Sequence, residues 1–67
     1  MEKFAERLKE LRNEKELSQA QLAKATGLSH TAIVYWENKQ RVPNANAIII
    51  LAAFFNVTTD YLLGVEA

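Results

Sequence analysis

An all-α fold is predicted by two features of the chain. Apolar residues recur at helical spacing along most of it: Phe4, Leu8 and Leu11 near the start, Ile33 and Trp36 in the middle, then Ala45, Ile48, Leu51, Ala52 and Phe55. A helix-start signal also recurs, an apolar residue, a hydroxyl residue and a second apolar residue one turn inside. It reads Leu17-Ser18 with Leu22, Leu28-Ser29 with Ile33, and Val57-Thr58 with Leu62. Together they predict five helices, at about 2–14, 19–26, 30–38, 45–55 and 59–63, in one domain over 1–67.

The first helix carries Phe4, Leu8 and Leu11 at i, i+4 and i+7, with Ala5 beside them and charge on the other face. Glu6 with Lys9, and Arg12 with Glu16, can pair there for a few tenths of a kcal/mol each. At the second helix, Ser18 can cap the N–H of Gln21 while the Gln21 side chain reaches back. Gly27 stands where the chain must turn sharply, and glycine tolerates positive φ at little cost. Small Ala23 suits the closest approach of two crossing helices.

The third helix turns Ile33 and Trp36 inward, which leaves His30, Thr31, Val34, Tyr35 and Asn38 on the opposite face. Asn38 or Lys39 must end it, and asparagine is the easier of the two in a left-handed conformation. Residues 40–43 form an extended link, since Pro43 disfavours helix at Val42. Asn44 caps a fourth helix in which Ile49, Ile50, Ala53 and Phe54 add apolar surface beyond the main stripe; such a helix is deeply buried or partly a contact surface. Asn56 ends it. Asp60 favours the first turn of the fifth helix, and Gly64 stops it.

Composition bounds the function. A chain of 67 residues buries only about 60% of the surface its unfolded form exposes, so its stability is small. It has no cysteine and one histidine, so neither a disulfide nor a metal site is expected. The longest apolar run, residues 47–55, is far short of the roughly 20 residues a membrane span needs. The charged start lacks the apolar centre of a signal peptide. A soluble cytoplasmic protein is expected. Net charge is zero, which argues against a broad nucleic-acid surface but leaves room for a local one. Lys39 and Arg41 stand together with no acid near them in sequence except Glu37.

Residues 19–38 therefore read as two short helices joined at Gly27, a helix-turn-helix pattern whose second helix usually enters the major groove. Several stretches carry a family resemblance: Ser18-Gln19-x-x-Leu22-Ala23, Gly27-x-Ser29, Ile33-x-x-Trp36-Glu37-Asn38, Pro43, and Val57-x-x-Asp60-Tyr61-Leu62-Leu63. In residue type and spacing they resemble the helix-turn-helix domain of phage repressor and Cro proteins, a family that includes xenobiotic-response-element-type bacterial regulators. The resemblance covers about residues 4–64. It implies a compact five-helix repressor-type DNA-binding domain, with the helix-turn-helix formed by helices two and three, that binds double-stranded operator DNA as a homodimer.

The resemblance also implies roles. Gln19 matches a glutamine that contacts a phosphate and supports the reading helix. His30, Thr31 and Tyr35 match positions that reach base edges, with Val34 beside them; Thr31 and Val34 can touch a thymine methyl. Ser18, Asn38, Lys39 and Arg41 match regions that contact the DNA backbone. Arg12 and Glu37 match a pair that forms a partly buried ion pair in some relatives. Thr59, Asp60 and Tyr61 lie where relatives often pair two monomers. The chain departs from the family where Lys39 replaces a frequent glycine, where His30, Val34 and Tyr35 replace frequent Gln, Ser or Arg, and where Ile50 and Ala53 replace usual charges.

The expected function is a sequence-specific transcriptional regulator, most simply a repressor, on a pseudo-palindromic operator. The alternative is a protein-interaction module on the same scaffold, antitoxin-like or anti-repressor-like, with a partner on helix four. No enzyme, cofactor or metal is expected: Ser29 and His30 are chain neighbours at a helix start, whose side chains diverge.

Overall fold

The computed structural model describes residues 2–65, so Met1, Glu66 and Ala67 at the ends of the expected domain lie outside the described residues. Five helices follow one another: α1 (Glu2–Glu14), α2 (Gln19–Thr26), α3 (His30–Glu37), α4 (Ala45–Phe55) and α5 (Thr59–Leu63). No strand lies among the described residues. Phe4 and Leu8 of α1, Leu22 of α2, Ile33 of α3, Leu51 of α4 and Leu62 of α5 are fully buried together, so every helix contributes to one core. Trp36 meets Phe4 edge to face, with ring centroids 6.3 Å apart, and joins α3 to α1. No helix among the described residues is long and apolar enough to cross a membrane.

The helix ends explain how so short a chain fixes five axes. Ser18, Ser29, Asn44 and Thr58 each accept a backbone N–H in the first turn of the helix they precede, and Ser18 with Gln21 forms the full reciprocal box. Three junctions share one construction. A left-handed residue closes a helix, an apolar residue packs on the core, and a hydroxyl residue opens the next helix. They are Glu16-Leu17-Ser18 (φ 55°), Gly27-Leu28-Ser29 (φ 76°) and Asn56-Val57-Thr58 (φ 56°). At the first, the N–H groups of Glu16 and Leu17 return to the carbonyls of Asn13 and Arg12; at the third, Asn56 and Val57 return to Ala53 and Ala52. At Gly27 the N–H returns to the Ala23 carbonyl, and a side chain assists. The Thr26 hydroxyl donates to the Leu22 carbonyl and accepts from the Leu28 N–H.

The exit of α3 departs from the expectation. The helix stops at Glu37, and Asn38 caps it with an ordinary φ of −88°. Lys39 takes the left-handed conformation (φ 64°), and its N–H and that of Gln40 return to Trp36 and Tyr35. Asparagine is intrinsically easier in that conformation, but the bonding pattern fixes which residue must adopt it. The bond from the Gln40 N–H to the Tyr35 carbonyl closes around Lys39, as the bond from the Val57 N–H to the Ala52 carbonyl closes around Asn56.

Substitutions at the left-handed positions test these conformations. A Cβ added at Gly27 meets nothing within 4 Å, so Gly27→Ala carries only the left-handed backbone cost, about 1–2 kcal/mol. Gly27→Asn should lose clearly less, and urea unfolding of the two variants compares them directly. Lys39→Gly should raise stability by up to about 1 kcal/mol in the same assay, since it relieves the left-handed strain of a side-chain-bearing residue.

Candidate nucleic-acid interface

The site begins with a buried carboxylate. Glu37 ends α3 with its side chain only 2% exposed. It accepts from Arg12 Nε at 2.7 Å, Arg12 Nη2 at 2.9 Å and Gln19 Nε2 at 3.1 Å. The remaining Arg12 amine donates to the Leu17 carbonyl at 2.7 Å. Arg12 thus bridges α1, α3 and the α1–α2 connection, and Gln19 ties the start of α2 to the same carboxylate. The hydrogen bonds to Glu37 raise the Arg12 pKa above its ordinary value, with burial opposing them, so the guanidinium stays charged. Arg12 therefore bonds across the fold to Glu37, and the suggested pairing with Glu16 gives way to it.

This anchor and the inward Ile33 and Trp36 hold α3 from behind. Its other side carries His30 and Thr31, both exposed, with Val34 and Tyr35 half-buried. These four side chains line one shallow, open recess of about 250 Å³. Asn38 is exposed at the far end of the same helix. Beyond it, the Arg41 guanidinium lies over the Tyr35 ring, 4.6 Å from the centroid.

The other expected contact residues are placed as follows. The Ser18 hydroxyl caps α2, and the Ser18 N–H bonds to the Gln21 side chain. The Gln19 side chain is directed to Glu37 and ties the start of α2 to the end of α3. Lys39 is less free than the sequence indicates. Its ammonium lies 3.7 Å from Glu6 and 4.0 Å from Glu2, both on α1. Thr59, Asp60 and Tyr61 are exposed on α5, at a distance in sequence from α3. The Arg7 guanidinium lies 4.2 Å from the Tyr61 ring centroid and also donates to the Tyr61 carbonyl. Sequence reasoning missed the contacts of Gln19 with Glu37, Arg41 with Tyr35, Arg7 with Tyr61 and Lys39 with α1. Each joins long side chains from different elements, for which residue spacing carries no signal.

Comparison with known proteins identifies the arrangement. A helix-turn-helix family model matches residues 8–62. This chain belongs to the Cro/C1-type helix-turn-helix family. It is 43% identical over 63 residues to the transcriptional activator BcrR of Enterococcus faecalis, covering 94% of this chain and 31% of BcrR. It is 34% identical over 60 residues to repressor protein C2 of Salmonella phage P22, covering 90% of this chain and 28% of C2. The chain therefore spans less than a third of these two curated relatives. The crystal structure of the restriction-modification controller protein C.AhdI from Aeromonas hydrophila superposes with a TM-score of 0.81 at 36% identity, covering 91% of this chain and 92% of that one. Other members of this helix-turn-helix family are thus regulators of transcription.

The buried carboxylate gives a stability test. Arg12→Ala would strand Glu37 and should cost about 3–5 kcal/mol, while an apolar replacement of both partners (Arg12→Met with Glu37→Leu) should recover much of the loss. Circular dichroism during urea titration separates the two outcomes.

Proposed function

We propose that the chain is the DNA-binding part of a transcriptional regulator that lays α3 in the major groove of operator DNA. It acts in the cytoplasm as a homodimer paired through Thr59, Asp60 and Tyr61, on a pseudo-palindrome whose half-sites lie about one helical turn apart. One observation carries this reading. The outward side chains of α3 make no hydrogen bond to the rest of the chain among the described residues, while the inner face of the same helix is tied to two other helices.

In this reading His30, Thr31, Val34 and Tyr35 meet base edges. Free N–H groups at the start of α2, together with Ser18, Gln19, Asn38, Lys39 and Arg41, hold phosphates. Relatives include both an activator and a repressor. Repression by occluding a promoter is the simplest action of a domain that covers operator DNA.

A second reading rests on α4. Ile49 is 60% exposed, and exposed Ala53 and half-buried Ile50 extend its apolar strip. Such a strip suits a protein partner.

Selection of the purified chain against random DNA duplexes tests the first reading, which expects an enriched pseudo-palindrome. Replacing Lys39 and Arg41 with alanine should then weaken binding and flatten the log–log salt dependence by about 0.9 for each phosphate no longer neutralised. A partner held only by α4 would be unaffected by that change and released by Ile49→Glu.

A further inference from the structure

Two cations follow α3 in the chain, and the fold treats them differently. The Lys39 ammonium lies 3.7 Å from Glu6 and 4.0 Å from Glu2, so a phosphate that takes it must also approach two carboxylates. Arg41 has no carboxylate partner among the described residues and donates no hydrogen bond to them. Its guanidinium lies instead over the Tyr35 ring, 4.6 Å from the centroid. In a chain of zero net charge, a cation left uncompensated counts for more against a polyanion.

The ring is suited to hold a cation without using it up. The face of an aromatic ring attracts a guanidinium through its quadrupole, and the N–H donors of the guanidinium stay available to a better acceptor. Arg41 is exposed on the connection after α3. A long side chain placed there has many rotamers, and ordering it on binding is costly unless something orders it beforehand. The backbone of the connection is set against the same residue. The Gln40 N–H returns to the Tyr35 carbonyl at 2.9 Å, one residue before Arg41, so backbone and side chain are both referred to Tyr35.

Building on the reading of α3 as the groove-facing helix, we infer that Tyr35 is a positioning residue for Arg41, its ring holding the guanidinium ready for a DNA phosphate at the rim of the groove. The ring face does this and the hydroxyl does not, so phenylalanine can replace tyrosine in the role. The hydroxyl remains available to a base edge.

The test uses the purified chain and a duplex enriched from the random pool. The loss of affinity on Arg41→Ala is measured in three backgrounds: the parent, Tyr35→Phe and Tyr35→Leu, each confirmed as folded by circular dichroism. Tyr35→Met takes the place of Tyr35→Leu should the latter not fold. The loss should be equal in the parent and Tyr35→Phe, and about two- to fivefold smaller in Tyr35→Leu, the range of an exposed cation–ring contact. In the chain without DNA, the ring current of residue 35 should move the Arg41 side-chain proton resonances in the parent and Tyr35→Phe relative to Tyr35→Leu.

An equal loss in all three backgrounds overturns the inference and leaves the regulator reading intact. So does a loss that shrinks in Tyr35→Phe as far as in Tyr35→Leu, which would assign the effect to the hydroxyl, or an absence of any ring-current shift. An Arg41→Ala loss that appears on the enriched duplex but not on unrelated duplexes replaces the phosphate with a base edge and overturns it too. Failure of the pool to enrich any duplex overturns the regulator reading, and the positioning role with it.

Discussion

Three donors converge on the carboxylate of Glu37, two from Arg12 on α1 and one from Gln19 on α2, while Glu37 itself is the last residue of α3. A carboxylate 2% exposed has given up nearly all of its water, and desolvation of that kind is compensated only when the charge and lone pairs are met by good geometry. Here they are. The cluster is directional where the apolar core is not: Leu22, Ile33 and Trp36 hold α2 and α3 near each other, but hydrogen bonds to one carboxylate set their relative rotation. That rotation decides which residues of α3 face outward.

The core alone would be a weak device in a chain of this size, since a domain of 67 residues buries a modest share of its surface. The junctions supply what the core lacks. Leu17, Leu28 and Val57 each pack on the core between a left-handed residue and a hydroxyl cap. Each therefore fixes the exit of one helix and the entry of the next. Local rules and tertiary packing agree at these points, which is the condition for a sequence to specify a single fold.

Much of this is legible in the sequence because it depends on neighbours in the chain. The Ser18 box, the caps at Ser29, Asn44 and Thr58, and the turn at Gly27 all follow from residue type at short range. The inward Ile33 and Trp36 follow from period. The features that sequence does not reveal have a different physical origin. The left-handed conformation falls to Lys39 because the Gln40 N–H returns to the Tyr35 carbonyl, and a closing bond one residue earlier would give it to Asn38. The Gln19 side chain bonds to Glu37 at the end of α3, 18 residues along the chain, and no short-range spacing encodes that. Along the chain Lys39 is distant from acids other than Glu37, yet α1 returns Glu2 and Glu6 to its side. Arg41 and Tyr35 meet because the chain doubles back after α3, and no periodicity records that.

The connections also differ in what they leave free. Residues 27–29 and 56–58 are fully occupied by closing one helix and opening another, and 15–18 differ by a single extra residue. The stretch 38–44 is the longest connection between helices, and it contains exposed Gln40, Arg41 and Val42. Length is thus a fixed quantity at three of the four joints and adjustable at the fourth. That fourth joint emerges beside the outward face of α3, where Arg41 lies over Tyr35, so descendants of this chain that gain or lose a residue there would reshape the rim of that face while the scaffold behind it stays the same.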